Sequence, residues 1–142
     1  MKESRFVDGY LGYLLGQANH ALYKDFDARV RAAGLTGIEW RVLATLHDGE
    51  PLTVSQLAQD VLSKQPTVTK LVQRMADEGL LVLRADPQDQ RRTLVAASEA
   101  GLKAARILIT EARAQEQGQL AHWSASEVDA LKRMLQRLAA GG

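Results

Sequence analysis

Apolar positions recur along the chain with two distinct periods, and most of the fold follows from where the period changes. From Phe6 to about Ala33, Val7, Leu11, Leu14, Leu15, Ala18, Leu22, Phe26 and Val30 fall at helical spacing, which predicts a long amphipathic helix ended by Gly34. Thr36-Gly-Ile-Glu39 has the capping-box pattern and predicts a second helix from Gly37 to about His47, with Ile38, Val42, Leu43 and Leu46 turned inward. Asp48 to Pro51 reads as a turn. Thr53-Val-Ser-Gln56 repeats the capping pattern and opens a short helix burying Val54, Leu57, Ala58 and Val61. Ser63 is placed to cap a fourth helix, with Pro66 tolerated in its first turn and Gly79 at its end.

The period then shortens. Leu80 to Arg84 and Arg92 to Ala96 are rich in Val, Leu and Thr and flank Asp86-Pro-Gln-Asp-Gln90, a pattern that predicts a hairpin with a loop longer than two residues. Ser98 is expected to cap a helix running to about His122, and Ser124-Ala-Ser-Glu127 a last one carrying Val128, Leu131, Met134, Leu135 and Leu138. The expected fold is mainly α with a small β-hairpin wing. A winged helix-turn-helix over 36–97 is flanked by long helices, one over 1–35 at the N-terminus and others over 98–142 at the C-terminus.

Two short helices followed by a projecting hairpin suit nucleic acid only if the second helix has a free polar face. Val68, Leu71, Val72 and Met75 form its buried stripe. Pro66, Thr69, Lys70, Gln73 and Asp77 lie opposite, with Thr67 and Arg74 at the margin. Hydroxyls, amides and cations of this kind hydrogen-bond base edges and phosphates in a major groove. At the hairpin, Gln88, Gln90, Arg91 and Arg92 are placed to reach an adjacent minor groove. The same turn also reads as a solvated one in which Asp86 and Asp89 pair with the arginines, and the two readings are compatible.

Charge refines this picture without carrying it. The formal net charge of the 142 residues is +1, so nothing global favours a polyanion. Over Thr53–Arg92 there are six cations against five acids, but Lys64, Lys70 and Arg74 give Ser63–Arg74 a local +3. The hydrophobic share, 46%, is ample for a core. Cysteine is absent, which removes disulfides, thiolate metal sites and thiol nucleophiles. The charged start of the chain lacks the apolar core of a signal peptide, and Gly9–Leu22, interrupted by Gln17, Asn19 and His20, is too short to span a bilayer. No membrane association and a cytoplasmic location are therefore expected. His20, His47 and His122 fall on three different predicted helices without ligand spacing, and no phosphate loop or nucleophile elbow occurs. Neither a metal, a cofactor nor an enzyme activity is expected.

Leu57-Ala58, the run Ser63–Val72, Gly79-Leu80-Leu81, Asp86-Pro-Gln-Asp-Gln-Arg91 and Ser98-Glu-Ala-Gly101 together resemble the MarR family of bacterial transcriptional regulators. The chain departs from the common pattern at Ala97-Ser98, where Leu-Thr is frequent, and at Met75, where leucine is usual; each change keeps the local role. The resemblance implies a homodimer joined by the terminal helices that binds a palindromic operator in double-stranded DNA as a ligand-responsive repressor. The expected DNA contacts are Ser63, Lys64, Gln65, Thr67, Thr69, Lys70, Gln73 and Arg74 on the reading helix and Gln90, Arg91 and Arg92 on the wing, and the resemblance implies in particular that Arg91 touches DNA. Asp89 and Arg91 would form the ion pair that shapes the wing. A small aromatic or phenolic effector would bind in a crevice between the DNA-binding and dimer parts, with His20, Tyr23 and Trp40 as candidate lining residues. Packing roles explain those three equally well. A winged fold used for protein contact is the alternative function, and a weak salt dependence of binding would mark it.

Overall fold

The computed structural model describes residues 4–141. Its elements are α1 (Leu11–Ala32), α2 (Gly37–Leu46), β1 (Leu52–Thr53), α3 (Val54–Asp60), α4 (Gln65–Asp77), β2 (Leu81–Asp86), β3 (Asp89–Ala97), α5 (Glu99–Gln119) and α6 (Ala125–Ala139). The mainly helical architecture with a small antiparallel sheet agrees with the sequence reading.

Capping chemistry sets most of the boundaries. At the starts of α2, α3 and α6 the side chains of Thr36, Thr53 and Ser124 accept from the backbone N–H three residues on, and Glu39, Gln56 and Glu127 accept in return. The ends of α1 and α4 pass through Gly34 (φ 81°) and Gly79 (φ 84°), each followed by a backbone bond closing the last turn, Leu35 N–H to Val30 O and Leu80 N–H to Met75 O. The turn after α3 has the same pair of bonds, Leu62 N–H to Gln59 O and Ser63 N–H to Ala58 O, but its left-handed residue is Leu62 (φ 58°). A leucine in that conformation costs about 1 kcal/mol relative to glycine.

Four expectations need correction. Phe6–Asp8 is a separate 3₁₀ turn and the helix begins only at Leu11, because the Asp8 carboxylate turns back to accept from the Arg5 backbone and guanidinium, both at 2.9 Å, and Gly9 interrupts the segment. Ser63 does not cap α4: it is used in the turn after Leu62, and Lys64 holds the N-cap position without a side-chain bond. β1, too short to show any periodicity, pairs with β3 to make a three-stranded sheet in the order β1-β3-β2. The hairpin strands are also longer than expected and turn tightly over Pro87-Gln88.

The chain forms two compact units, residues 23–110 and residues 1–22 with 111–142. Within 23–110, Phe26, Val30, Val42, Leu43, Leu57, Val61, Val68, Val72, Met75, Val95 and Leu108 build the core. Val95, on the central strand, pairs with Leu52 on one side and Leu83 on the other. The base of the hairpin is latched to α4: Ser98 Oγ donates to Gly79 O (2.6 Å) and accepts from Gly101 N–H (3.1 Å), while Ser98 N–H donates to Leu80 O (3.0 Å). A Cβ on Gly101 would run into that same Leu80 carbonyl. This packed unit is wider than the 36–97 segment, since the second half of α1 and the first half of α5 contribute Phe26, Val30, Ala105 and Leu108 to its core.

The other unit half-buries Leu15, Leu120, Val128 and Leu131 and contains polar contacts. Gln119 Nε2 donates to Ala21 O (3.3 Å) and Leu22 O (3.2 Å), and Lys132 pairs with Glu116 (2.8 Å). No described residue in it is buried. Among the described residues no helix is long and apolar enough to cross a membrane, and no cluster of His, Cys, Asp or Glu has metal-binding geometry.

Candidate nucleic-acid interface

The four inward positions of α4 are buried, which forces its opposite face outward. Gln65, Pro66, Thr67, Thr69, Lys70, Gln73, Arg74 and Asp77 are exposed, as is Lys64 before it, while Ser63 is half-buried. Thr69 Oγ1 donates to Gln65 O (2.9 Å), so its hydroxyl offers only acceptor capacity outward. The exposed face is therefore a row of amides, hydroxyls and cations, with the Asp77 carboxylate at its C-terminal end, on a helix whose other side is locked into a core.

The hairpin adds its cations beside this face. Ala85 pairs with Thr93 and Asp86 with Asp89, so one step along β2 corresponds to four along β3. Gln90, Arg91 and Arg92 fill the irregular stretch, all exposed, without partners in the ladder. Arg91 Nε lies 3.2 Å from Asp89 Oδ1, and the Arg91 backbone N–H donates to the same oxygen at 3.1 Å. Arg92 Nε stands 3.7 Å from the other Asp89 oxygen. The Arg91 guanidinium, then its backbone N–H and the nearby Arg92 charge, hold the Asp89 carboxyl below the ordinary aspartate range. Asp86 caps the turn by accepting from Gln88 N–H at 3.0 Å.

Helix and hairpin meet across a groove of about 490 Å³ bounded by Thr53–Gln56, Gln65, Thr69 and Arg91–Thr93. Its walls carry two arginines and no carboxylate. Thr53, Ser55, Gln56 and Thr93 are lining residues that were not anticipated. They come from segments far apart in sequence, and only the pairing of β1 with β3 brings the start of α3 to the wing.

Residues 33–92, spanning α2 to the wing, match the sequence profile of the MarR family. The MarR-family transcriptional regulator SPO1453 from Silicibacter pomeroyi DSS-3 is 33% identical, with a TM-score of 0.84 over 95% of this chain and 98% of that one. The chain belongs to the MarR family of transcriptional regulators. The HTH-type transcriptional repressor IacR of Pseudomonas putida is 27% identical over 87% of this chain and 74% of its own length. The structure of NadR in complex with 4-hydroxyphenylacetate, 24% identical, has the same fold (TM-score 0.87 over 98% of this chain and 97% of that one).

In this MarR-family chain the candidate effector residues separate into two groups. Tyr23 and Trp40 both stack edge-on against Phe26, at 6.1 Å and 5.3 Å between ring centres. Tyr23 Oη is buried with no hydrogen-bond partner, and burial, then the Asp27 carboxylate, pushes its pKa up. His20 belongs to the other unit, where it lines a shallow hollow with Gly12, Tyr13, Gly16 and Gln17.

Proposed function

We propose that the chain is a homodimeric, ligand-responsive repressor that binds a palindromic operator in double-stranded DNA. The observation that carries this reading is the exposed polar face of α4 beside the wing arginines across one carboxylate-free groove. Thr67, Thr69, Lys70, Gln73 and Arg74 contact base edges and phosphates in the major groove, with Ser63, Lys64 and Gln65 at the helix entrance. Gln90, Arg91 and Arg92 act through the wing, whose shape the Asp89–Arg91 pair holds. Segment 36–97 is the reading module, held in the core of residues 23–110, and the parts of 1–35 and 98–142 outside that core supply the joint.

The dimer is supported by apolar surface that the chain leaves uncovered. Phe6, Leu11, Leu14, Trp123, Met134 and Leu138 are 41–76% exposed, in a unit with no buried residue among those described. A Cβ at Gly16, within α1, would meet nothing within 4 Å, so this helix-weakening glycine gains no intrachain packing. A second copy covers this surface. Joining two modules makes the second operator contact intramolecular, which single modules with few phosphate contacts need.

The effector is a small aromatic acid or phenol, the class held by NadR in its solved complex. Tyr23 Oη, a buried donor with no partner, on a ring packed edge-on against Phe26, is the group that such an anion engages. Selection of bound duplexes from a random pool, repeated with aromatic acids present, tests both halves. The expected result is an inverted repeat with half-sites one helical turn or a multiple apart, lost or weakened when the acid is added. Alanine at Lys70 or Arg91 is expected to weaken binding to the selected site by about 1–3 kcal/mol. Transcription in vitro from a promoter overlapping that site is expected to fall when the protein is added. Failure to enrich any repeat, or unchanged binding by both alanine variants at physiological salt, contradicts the reading.

A further inference from the structure

One residue on the outward face of α4 carries the wrong charge for both of its surroundings. Asp77 follows Lys70 by seven residues, so it lies only about 20° around the helix from that lysine and roughly 10 Å farther along the axis. It is exposed on the face that holds Lys70, Gln73 and Arg74, where the phosphates of a duplex repel it. It is also the last residue of α4, where the helix dipole disfavours an acid. Nothing offsets either cost. Arg74 stands one turn before it, yet Asp77 makes no ion pair and no side-chain hydrogen bond among the described residues.

The shape of the duplex decides what such a carboxylate does. A straight helix of 13 residues is about 20 Å long, whereas the major groove winds around the duplex axis, so the two ends of α4 cannot both stay deep among base edges. The N-terminal half offers Thr67, Thr69 and Lys70, and the last turn offers Asp77. Binding to an arbitrary sequence is held almost wholly by phosphates and samples many poses, including those in which the last turn lies against a strand. We infer that Asp77 is a specificity element that acts by repulsion: it penalises every pose that brings the last turn of α4 onto the sugar–phosphate strands and leaves the pose in which the N-terminal half enters the groove. This rests on the DNA-binding reading given above and goes beyond it, since Asp77 adds no contact to the operator complex. Discrimination is a difference of affinities, so weakening the wrong complexes sharpens it as much as strengthening the right one.

The test measures affinity for the selected site and for a scrambled duplex of equal length, from low to physiological salt, for the full-length chain and for Asp77→Asn, Asp77→Lys and Asp25→Asn. Asp25 is exposed on α1 and outside every ion pair among the described residues, so its variant makes the same change of net charge on another helix. Asp77→Asn is expected to bind the scrambled duplex about 3- to 5-fold more tightly than the parent, and the selected site within about 2-fold of it. Asp77→Lys is expected to add about one to the slope of log affinity against log salt on the scrambled duplex and nothing on the selected site. Asp25→Asn is expected to move neither affinity by more than about 2-fold. Both Asp77 variants remove an acid from a helix C-terminus, so neither is expected to unfold earlier in denaturant than the parent. A loss of selected-site affinity in Asp77→Asn would mark the carboxylate as a direct base contact. That loss, equal gains on both duplexes, a matching gain in Asp25→Asn, or no change at all overturns the repulsive role while leaving the regulator reading intact. A parent chain that binds neither duplex even at low salt overturns both.

Discussion

Residues 23–110 contain every buried apolar side chain among the described residues, from Phe26 to Leu108, whereas the unit formed by 1–22 and 111–142 contains none and exposes Phe6, Leu11, Trp123, Met134 and Leu138. Both are built mainly from amphipathic helices, so local structure does not distinguish them. The first buries its amphipathic faces against a sheet and against one another. The second only half-buries Leu15, Leu120, Val128 and Leu131 and adds exposed bonds such as Lys132–Glu116 and Gln119 to the Leu22 carbonyl, and bonds of that kind are worth at most about 1 kcal/mol each. An amphipathic helix with no face to cover gains little beyond its own weak propensity. The proposed division of roles rests on this contrast: a reading module with its own core, and a surface proposed to be covered by a second copy.

The largest expected effect breaks the first side of this contrast. Gly101→Ala drives a methyl group into the Leu80 carbonyl at the latch between α4, the hairpin base and α5, where backbone has no room to yield. Destabilisation of about 3 kcal/mol is expected, read as a lower denaturation midpoint. A change below about 0.5 kcal/mol would show that the latch is not rigid. Next in size, Leu135→Glu combined with Leu138→Glu places charges on residues that are 40% and 52% exposed in the chain. The variant is expected to sediment as a monomer and to bind the selected site about 100-fold more weakly. Retention of the dimer would mean that the joining surface lies elsewhere.

How much of this was legible beforehand follows the same division between local and distant causes. The Thr36–Glu39, Thr53–Gln56 and Ser124–Glu127 caps were readable because donor and acceptor lie three residues apart, and the α4 stripe because helical periodicity is a local property. Lys64 at the α4 N-cap was not, because Leu62 enters the left-handed region that sequence leads one to reserve for glycine, and Ser63 is drawn into the turn. The two residues of β1 carry no pattern of their own. Their pairing with Leu94 and Val95 places Ser55 and Gln56 beside Arg92, so the groove exists only once the strands have met. Asp89 and Arg91 were named from a family resemblance, and their contact at 3.2 Å is a feature of the irregular β3 stretch.

The smallest effect refines the reading module. Asp89 has its pKa depressed by Arg91 first, so the pair's contribution is complete above the unfolded aspartate value of about 3.8 and is lost as pH falls through the lower folded value. A carboxyl NMR titration is expected to place the Asp89 midpoint below 3.8, and Arg91→Ala is expected to raise it toward that value. A midpoint already ordinary in the parent would mean that the pair does not hold the wing in solution.

The most direct test of the division of labour is the mass of the complex formed with one selected duplex, measured by sedimentation equilibrium at physiological salt. Two chains of 15.6 kDa per duplex are expected, with no stable complex from the Leu135→Glu, Leu138→Glu chain at the same concentration. A single chain bound per duplex, or full-affinity binding by that monomeric variant, would contradict the account.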